Sequence, residues 1–155
     1  MTAPLGGRGL LPSAPRYYLK EVDIQDPRYL ELILSLNETC LDERLPTRYR
    51  DGWWWILYCR GAAVGYAGLI RSAQYADVGY LCRSGVLPLH RGRGLQTRLI
   101  AARERKARSL GFGWTVTDTT DNPASGNNLI RCGYRLYNPV QPWAFRHSVY
   151  WKKQL

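Results

Sequence analysis

The most informative segment of the sequence is Ser84-Gly-Val-Leu-Pro-Leu-His-Arg-Gly-Arg-Gly-Leu-Gln-Thr97. The β-rich run 78–86 leads into it and predicts a strand, whereas leucines and alanines at helical spacing over 95–110 predict a helix. Between them, glycines allow backbone N–H groups to approach a ligand, and the helix N-terminus adds unpaired donors. Arg91 and Arg93 place cations beside these donors. The stretch therefore predicts a phosphate-binding loop, although neither GxxxxGK[ST] nor GxGxxG occurs in it.

The sequence on either side of this loop predicts a mixed α/β domain. Asp26-Pro27 and Asn122-Pro123 each supply a helix N-cap followed by proline at the first helical position. Arg60-Gly61 separates two β-rich runs and predicts a hairpin. The predicted strands are 17–22, 53–59, 63–70, 78–86, 114–119, 134–138 and 148–152, and the predicted helices are 27–37, a short one within 38–51, 95–110 and one from 123 that ends before Gly133.

The length of the chain, 155 residues, suits one domain. Residues 1–15 are rich in glycine and proline and are expected to form a flexible tail, so the predicted domain covers 16–155. No apolar run approaches the roughly 18 residues of a membrane span. The first 15 residues lack the apolar core of a signal peptide. We therefore expect a cytoplasmic protein without a membrane partner.

The cysteines argue against a metal site. They lie at 40, 59, 82 and 132, so no CxxC pair occurs, and His90 and His147 are the only histidines in the sequence. Structural zinc ligands usually come in close pairs. We expect free thiols and no metal.

The charge of the chain is strongly asymmetric. Its net charge is +10, yet residues 1–77 carry nine basic and nine acidic residues, whereas residues 78–155 carry thirteen basic and three acidic ones. Such asymmetry favours a polyanionic ligand, a nucleic acid or another acidic partner. A generally solvated basic face is the alternative.

Two segments resemble the GNAT superfamily of N-acyltransferases. Val86-x-Pro88-x-x-Arg91-Gly92-x-Gly94 resembles the acyl-CoA signature Q/R-x-x-G-x-G/A, in which Arg91 and Gly94 match and Gln96 replaces the last Gly/Ala. Asn122-Pro-Ala-Ser125, followed by Gly133-Tyr134, is similar to the family's second motif. With the elements between them, the resemblance covers about residues 17–153.

This resemblance implies a fold, a donor substrate and a binding site. The fold would be a central, mostly antiparallel sheet with a splayed strand pair, flanked by about four helices. The donor would be acetyl-CoA, with its pantetheine arm paired along one strand of the splayed pair and its diphosphate on the loop and the helix N-terminus. The implied binding residues are Ser84, Gly85, Val86, Arg91, Gly92, Arg93, Gly94, Leu95, Gln96, Thr97, Asn122 and Ser125.

Catalysis in such an enzyme depends more on a base than on an acid. Deprotonating a lysine-like amine of pKa ~10.4 at pH 7 costs about 4–5 kcal/mol, whereas releasing a thiolate of pKa ~8.5 costs about 2 kcal/mol. By the resemblance, Leu129 replaces the tyrosine that protonates the leaving sulfur in many members, and Tyr80, Tyr134 or Tyr137 could substitute. Tyr80 and Thr117 stand where relatives have a glutamate base.

The base is therefore not identified by the motif. Carboxylates near the slot are Glu38, Asp42, Asp77, Asp118 and Asp121. Tyr80, Glu38 and Asp118 are the catalytic candidates, with a water relay available to Asp118. The segment 141–145 lies where relatives shape the acceptor pocket.

The favoured function is an N-acetyltransferase that moves an acetyl group from acetyl-CoA to a primary amine by direct attack in a ternary complex. Family resemblance does not identify the acceptor, so a small molecule, a protein amine and an amine on a nucleic acid stay open. A homodimer is also compatible with the sequence. The alternatives are a GNAT-like protein that binds CoA without catalysis and a basic nucleic-acid-binding module.

Overall fold

The computed structural model describes residues 14–155. The predicted tail, residues 1–15, lies almost wholly outside the described residues. The described elements are β1 (Tyr17–Val22), α1 (Pro27–Leu41), a 3-10 helix (Thr47–Asp51), β2 (Trp53–Cys59), β3 (Ala62–Arg71), β4 (Val78–Val86), a second 3-10 helix (Pro88–His90), α2 (Leu95–Ser109), β5 (Trp114–Thr119), α3 (Pro123–Arg131), β6 (Arg135–Tyr137) and β7 (Val149–Gln154).

The seven strands form one sheet in the order β1-β2-β3-β4-β5-β7-β6. Neighbouring strands are antiparallel except β4 and β5, which are parallel. The mixed α/β class and the mostly antiparallel sheet are therefore confirmed. Residues 14–155 form three α-helices and two 3-10 helices, where about four helices were expected, and the short predicted helix within 38–51 is the first 3-10 helix.

α1 begins as its sequence predicts and ends later. The Asp26 carboxylate accepts a hydrogen bond from the backbone N–H of Arg28 (3.0 Å), which caps the helix ahead of Pro27. The helix continues to Leu41 instead of ending at 37, because buried Asn37 accepts a hydrogen bond from the Tyr66 hydroxyl (2.9 Å) and so stays inside the fold. A polar residue at the expected end of the helix is here part of its packed face.

Both faces of the sheet are covered by helices. α1 packs on one face, and α2 and α3 pack on the other. Trp54 and Tyr66 pack with Ile33 of α1, whereas Trp55 and Leu81 pack with Ile100 of α2. Adjacent tryptophans on β2 therefore point to opposite cores, as the strand's period of two requires. Among residues 14–155 no helix combines the length and the apolar character that crossing a bilayer needs.

β4 and β5 part after three residue pairs. Val78, Gly79 and Tyr80 pair with Trp114, Thr115 and Val116, and the remaining six residues of β4 have no partner on β5. Antiparallel pairing of β5 with β7 continues to Thr119, so both strands persist beyond the point of separation. This is the predicted splayed pair, and it leaves a slot in the sheet.

Candidate active site

A cavity of about 480 Å³ lies in the slot between β4 and β5. The 3-10 helix after α1, the first turns of α2, α3 and the segment before β7 complete its walls. The lining residues are Leu41, Glu43, Pro46, Arg48, Tyr49, Tyr80, Leu81, Cys82, Arg83, Ser84, Gln96, Ile100, Arg103, Thr117, Asp118, Thr119, Thr120, Asn122, Ser125, Asn128, Leu129, Trp143, Ala144 and Phe145.

The outer part of β4 presents an open strand edge to this cavity. On its other side Ser84, Gly85 and Val86 pair with β3, beyond a shift in the β3–β4 register, while the edge of β4 toward β5 stays unpaired. The Thr117 hydroxyl donates a hydrogen bond to the Leu81 carbonyl (2.8 Å) and closes the inner end of the slot. An extended ligand with amide groups can therefore add to β4 as a strand would.

The N-terminus of α2 opens toward the same slot. Gly94 is its N-cap, with φ 72°, and supplies no side-chain cap. The first backbone bond within the helix runs from the Arg98 N–H to the Gly94 carbonyl (3.3 Å). The backbone donors of the first turn therefore have no helical partner, and they favour an anion. Gly92 also has a positive φ, 76°, a conformation that glycine adopts without strain.

The predicted binding residues fall into three groups. Four side chains line the cavity: Ser84, Gln96, Asn122 and Ser125. Gly85, Val86 and Leu95 are buried, so only their backbone is available to a ligand in the slot. Arg91, Gly92, Arg93 and Gly94 are exposed in the loop before α2, and Thr97 is half-buried in its first turn.

Some of these side chains are already engaged. The Arg91 guanidinium donates to the Val86 carbonyl (2.9 Å), and the Thr97 hydroxyl donates to the Gly94 carbonyl (2.7 Å). The Asn122 carboxamide accepts from the Ser125 N–H (3.0 Å) and caps α3. These hydrogen bonds fix the loop before α2 and the first turn of α3.

Gln96, which departs from the acyl-CoA signature, connects the two walls of the slot. Its carbonyl oxygen accepts a hydrogen bond from the Ser84 hydroxyl (2.8 Å). The side chain therefore turns from α2 toward β4, between the open strand edge and the uncapped helix N-terminus. A ligand that spans these two features has to pass this bond or break it.

Tyr80 and Asp118, two of the three catalytic candidates, are brought together in the cavity. The Tyr80 hydroxyl donates to Oδ1 of Asp118 (2.6 Å), and the Trp143 indole N–H donates to the same oxygen (2.9 Å). Burial and the adjacent Asp118 carboxylate raise the pKa of Tyr80 far above its ordinary value. The Tyr80 hydroxyl therefore keeps its proton and acts as a donor.

Glu38, the third candidate, lies on an exposed position of α1 and does not line the cavity. Asp42, Asp77 and Asp121 do not line it either. Glu43 does, and it forms an ion pair with Arg83. Asp118 is therefore the cavity carboxylate that forms no salt bridge with any described residue.

The segment after α1 contributes cavity residues that the sequence did not single out. Glu43, Arg48 and Tyr49 line the cavity, and the Arg48 guanidinium lies 4.9 Å from the centre of the Tyr49 ring. The alternation of arginine with tyrosine over 48–50 was the available signal. Trp143, Ala144 and Phe145, in the segment predicted to shape an acceptor pocket, also line the cavity.

The other aromatic candidates for a proton donor lie elsewhere. The Tyr134 hydroxyl is buried 2.8 Å from the Thr115 hydroxyl, and neither Tyr134 nor Tyr137 lines the cavity. Leu129, which the sequence resemblance matches to the usual tyrosine, is 5% exposed, lines the cavity and packs in the core beside Trp151.

Arg103 is a buried cation at the α2 side of the cavity. It is 4% exposed and donates to the carbonyls of Leu99 (3.2 Å) and Gly68 (3.3 Å). Burial lowers the pKa of its guanidinium. The register of the β3–β4 pair shifts at Gly68, which has no partner residue on β4. Arg103 therefore donates to a carbonyl at an irregular point of the sheet.

Comparison with known proteins agrees with this geometry. The model of the acetyltransferase (GNAT) family matches residues 18–134. None of the curated proteins matches the chain significantly.

Solved structures share the fold. A protein of Klebsiella pneumoniae subsp. pneumoniae assigned to the acyl-CoA N-acyltransferases is 26% identical, covers 90% of this chain and 97% of its own, and superposes with a TM-score of 0.68. An acetyltransferase of Streptococcus agalactiae is 21% identical, with coverage of 90% and 98% and a TM-score of 0.72. Naa50 of Arabidopsis thaliana, in complex with the bisubstrate analogue CoA-Ac-MVNAL, is 16% identical, with coverage of 90% and 99% and a TM-score of 0.74. The chain belongs to the GNAT family of acetyltransferases.

Proposed function

We propose that this protein transfers an acetyl group from acetyl-CoA to a primary amine by direct attack in a ternary complex. One observation carries the proposal: the open edge of β4 and the uncapped N-terminus of α2 meet on one cavity. Amide groups and a diphosphate are the two features of CoA that such an arrangement recognises.

In this proposal, acetyl-CoA lies along the slot between β4 and β5. Its pantetheine arm pairs with the backbone of Ser84, Gly85 and Val86, and its diphosphate accepts hydrogen bonds from backbone N–H groups between Gly92 and Thr97. Arg91 and Arg93 add positive charge beside the diphosphate. Asn122 and Ser125, which line the cavity from α3, flank the arm on the opposite side.

Asp118 and Tyr80 are assigned to the acceptor end. The acceptor ammonium gives one proton to Asp118, directly or through a water, and the freed lone pair attacks the thioester carbonyl. The new C–N bond forms as the C–S bond breaks, CoA leaves as a thiolate, and the second proton lost by the nitrogen passes to solvent. Tyr80 is a positioning residue, since its hydroxyl holds Asp118. The exposed position of Glu38 gives its predicted role no support.

A leucine at position 129, which cannot protonate the leaving sulfur, is compatible with this chemistry. A thiolate near pKa ~8.5 needs only about 2 kcal/mol to leave unprotonated at pH 7, against about 4–5 kcal/mol for deprotonating the amine. The base is therefore the group that the reaction cannot omit.

The experiment that tests the proposal follows labelled acetyl from acetyl-CoA into a fractionated cell extract. Separate fractions would hold small molecules, proteins and nucleic acids, with acetyl-CoA binding measured in parallel. We expect label in one fraction, which also names the acceptor class. The matched control is a Gly94→Glu variant, whose carboxylate would enter the anion site. Acetyl-CoA binding with no label in any fraction would favour the non-catalytic alternative.

A further inference from the structure

Exposed apolar side chains are concentrated near the end of the chain. Of the nine large apolar side chains that residues 14–155 expose, five lie between 130 and 149: Ile130, Leu136, Val140, Phe145 and Val149. Apolar residues scattered singly over a surface are ordinary, but a concentration of them is typical of an interaction site.

A second cavity, of about 590 Å³, lies between the ends of β6 and β7 and the segment that connects these strands. Leu136, Phe145 and Val149 line it, together with Pro139 and Pro142. We call it the β6–β7 groove. Its volume falls within the roughly 300–1,000 Å³ that is typical of ligand-binding sites, and its walls are mostly apolar.

β6 adds a strand edge beside the groove. It is the last strand of the sheet and pairs with β7 alone among the described strands. The strand has three residues, Arg135–Tyr137, so its backbone can give a partner strand only a few hydrogen bonds. A partner that adds to this edge therefore depends on side-chain contacts for most of its affinity.

The charge around the groove is positive and largely unbalanced. Residues 122–155 include five basic residues and no acidic one. Arg135 and Lys152 stand directly opposite each other in the register of β6 and β7, where like charges repel. Neither they nor Arg146, which lines the groove, form a salt bridge with any residue in 14–155. An anionic partner would relieve this repulsion.

The two kinds of side chain lie on opposite faces of the strand pair. Successive residues of a strand alternate between faces, so Arg135 and its partner Lys152 share one face, whereas Leu136 and Val149 share the other. A strand that adds beside β6 has the same alternation. Its residues on one face would meet cations, and those on the other face would meet apolar side chains.

We propose that the β6–β7 groove and the edge of β6 dock an extended polypeptide segment in which acidic residues alternate with large apolar ones. The apolar residues pack against Leu136 and Val149, and the acidic residues face Arg135 and Lys152. A polypeptide fits this surface better than a nucleic acid, because aliphatic side chains and prolines supply much of the wall and single strands of nucleic acid need aromatic stacking platforms. The proposal goes beyond the proposed function, since no step of acetyl transfer uses this surface.

The test titrates capped peptides into the full-length protein by calorimetry. The probe is acetyl-Glu-Leu-Glu-Phe-Glu-Leu-Glu-amide, which has no free amine and so cannot act as an acetyl acceptor. One comparison peptide has arginine in place of each glutamate, and another has serine in place of each apolar residue. We expect the probe to bind at least tenfold more tightly than either, with an affinity that falls as salt is raised.

Two variants locate the binding surface. Arg135→Glu places opposite charges across β6 and β7, which favours the folded strand pair, and it repels the probe. We expect probe binding to weaken at least tenfold in Arg135→Glu and in Leu136→Ser. The matched controls are Arg105→Glu on α2 and Leu32→Ser on α1, both at exposed positions away from the groove. Acetyl-CoA binding stays unchanged in all four variants, because none of the four residues lines the cavity between β4 and β5.

Absence of saturable binding of the probe to wild-type protein would overturn the proposal, as would equal affinity for the three peptides. Equal losses in Arg135→Glu and Arg105→Glu would also overturn it, because binding would then follow net charge alone. A twelve-nucleotide oligothymidylate that binds more tightly than the probe and loses affinity in Arg135→Glu would overturn the choice of a polypeptide. Since the probe carries no amine, its binding is independent of acetyl transfer, and the two proposals fail separately.

Discussion

Tyr80 is the last residue of β4 that pairs with β5, and its hydroxyl is committed to Asp118. Replacing Tyr80 with phenylalanine removes a hydrogen bond to a charged group, an interaction of about 1.5–3 kcal/mol, while the ring stays. We expect kcat in Tyr80→Phe to fall about tenfold or more and the KM for acetyl-CoA to stay unchanged.

Steady-state kinetics on the acceptor identified by the labelling experiment would measure this effect. Tyr137→Phe is the control, because Tyr137 does not line the cavity. A kcat for Tyr80→Phe equal to that of Tyr137→Phe would contradict the positioning role of Tyr80.

Substitutions of Leu129 test whether catalysis needs a tyrosine at this position to protonate the leaving sulfur. Leu129 packs in the core while lining the cavity, so a larger side chain there costs about 1–3 kcal/mol of stability. For Leu129→Tyr we expect a lower Tm in calorimetry and a kcat that does not fall. Leu129→Met, which nearly conserves volume, is the reference for packing. A large loss of kcat would show that Leu129 contacts the ligands directly.

At the scale of elements, α2 and β4 are joined across the slot by the bond between Gln96 and Ser84. Gln96→Ala removes this bond and restores the small residue of the acyl-CoA signature, at a position where alanine favours the helix. We expect acetyl-CoA affinity to stay within about threefold of wild type or to rise, since an obstacle is removed and the backbone N–H remains. Equilibrium titration measures it.

Ser84→Ala is the matched variant, because it breaks the same bond from the other wall. A loss of acetyl-CoA affinity above tenfold in Gln96→Ala but not in Ser84→Ala would show that the Gln96 side chain itself holds the donor.

The elements of the site could largely be predicted from the sequence. β4, the loop after it and α2 were predictable because strand composition, glycines and helical spacing are local signals. Asp118 could be named only as one of several carboxylates, because its partners Tyr80 and Trp143 lie 38 and 25 residues away in the chain. The pairing of Glu43 with Arg83 was hidden for the same reason.

For the whole molecule, the basic excess of residues 78–155 is partly neutralised within the fold. Lys106 pairs with Glu21 (2.7 Å) and Arg83 pairs with Glu43, both acidic residues of the segment 1–77, while Arg103 is buried. The asymmetry of charge read from the sequence is therefore weaker at the surface. No observation among the described residues identifies a nucleic acid as the partner.

The raised pKa values of three tyrosines and one thiol, buried or half-buried, predict how global stability depends on pH. Burial raises the pKa of Cys82 to about 12 and raises the pKa values of Tyr66, Tyr80 and Tyr134 well above the ordinary value of 10.0. These groups lose their protons more easily in the unfolded chain. Their contribution to stability is complete below about pH 9 and is lost progressively as the pH rises above it.

Urea denaturation at pH 8, 9.5 and 10.5 would test this dependence at constant ionic strength. We expect the midpoint to fall from each pH to the next, with the larger step above pH 9.5. A midpoint that is constant or rises over this range would contradict the raised pKa values of these groups in the folded protein.

In the proposed function, the loop before α2 and the N-terminus of α2 bind the diphosphate of acetyl-CoA. Calorimetric titration of acetyl-CoA into wild type, Gly94→Glu and Gly111→Glu tests this binding site. Gly94 and Gly111 have φ 72° and 79°, so both variants carry similar strain, but only Gly94 lies at the loop. We predict that Gly94→Glu abolishes binding while Gly111→Glu binds like wild type. Wild-type affinity in a folded Gly94→Glu protein would contradict the claim.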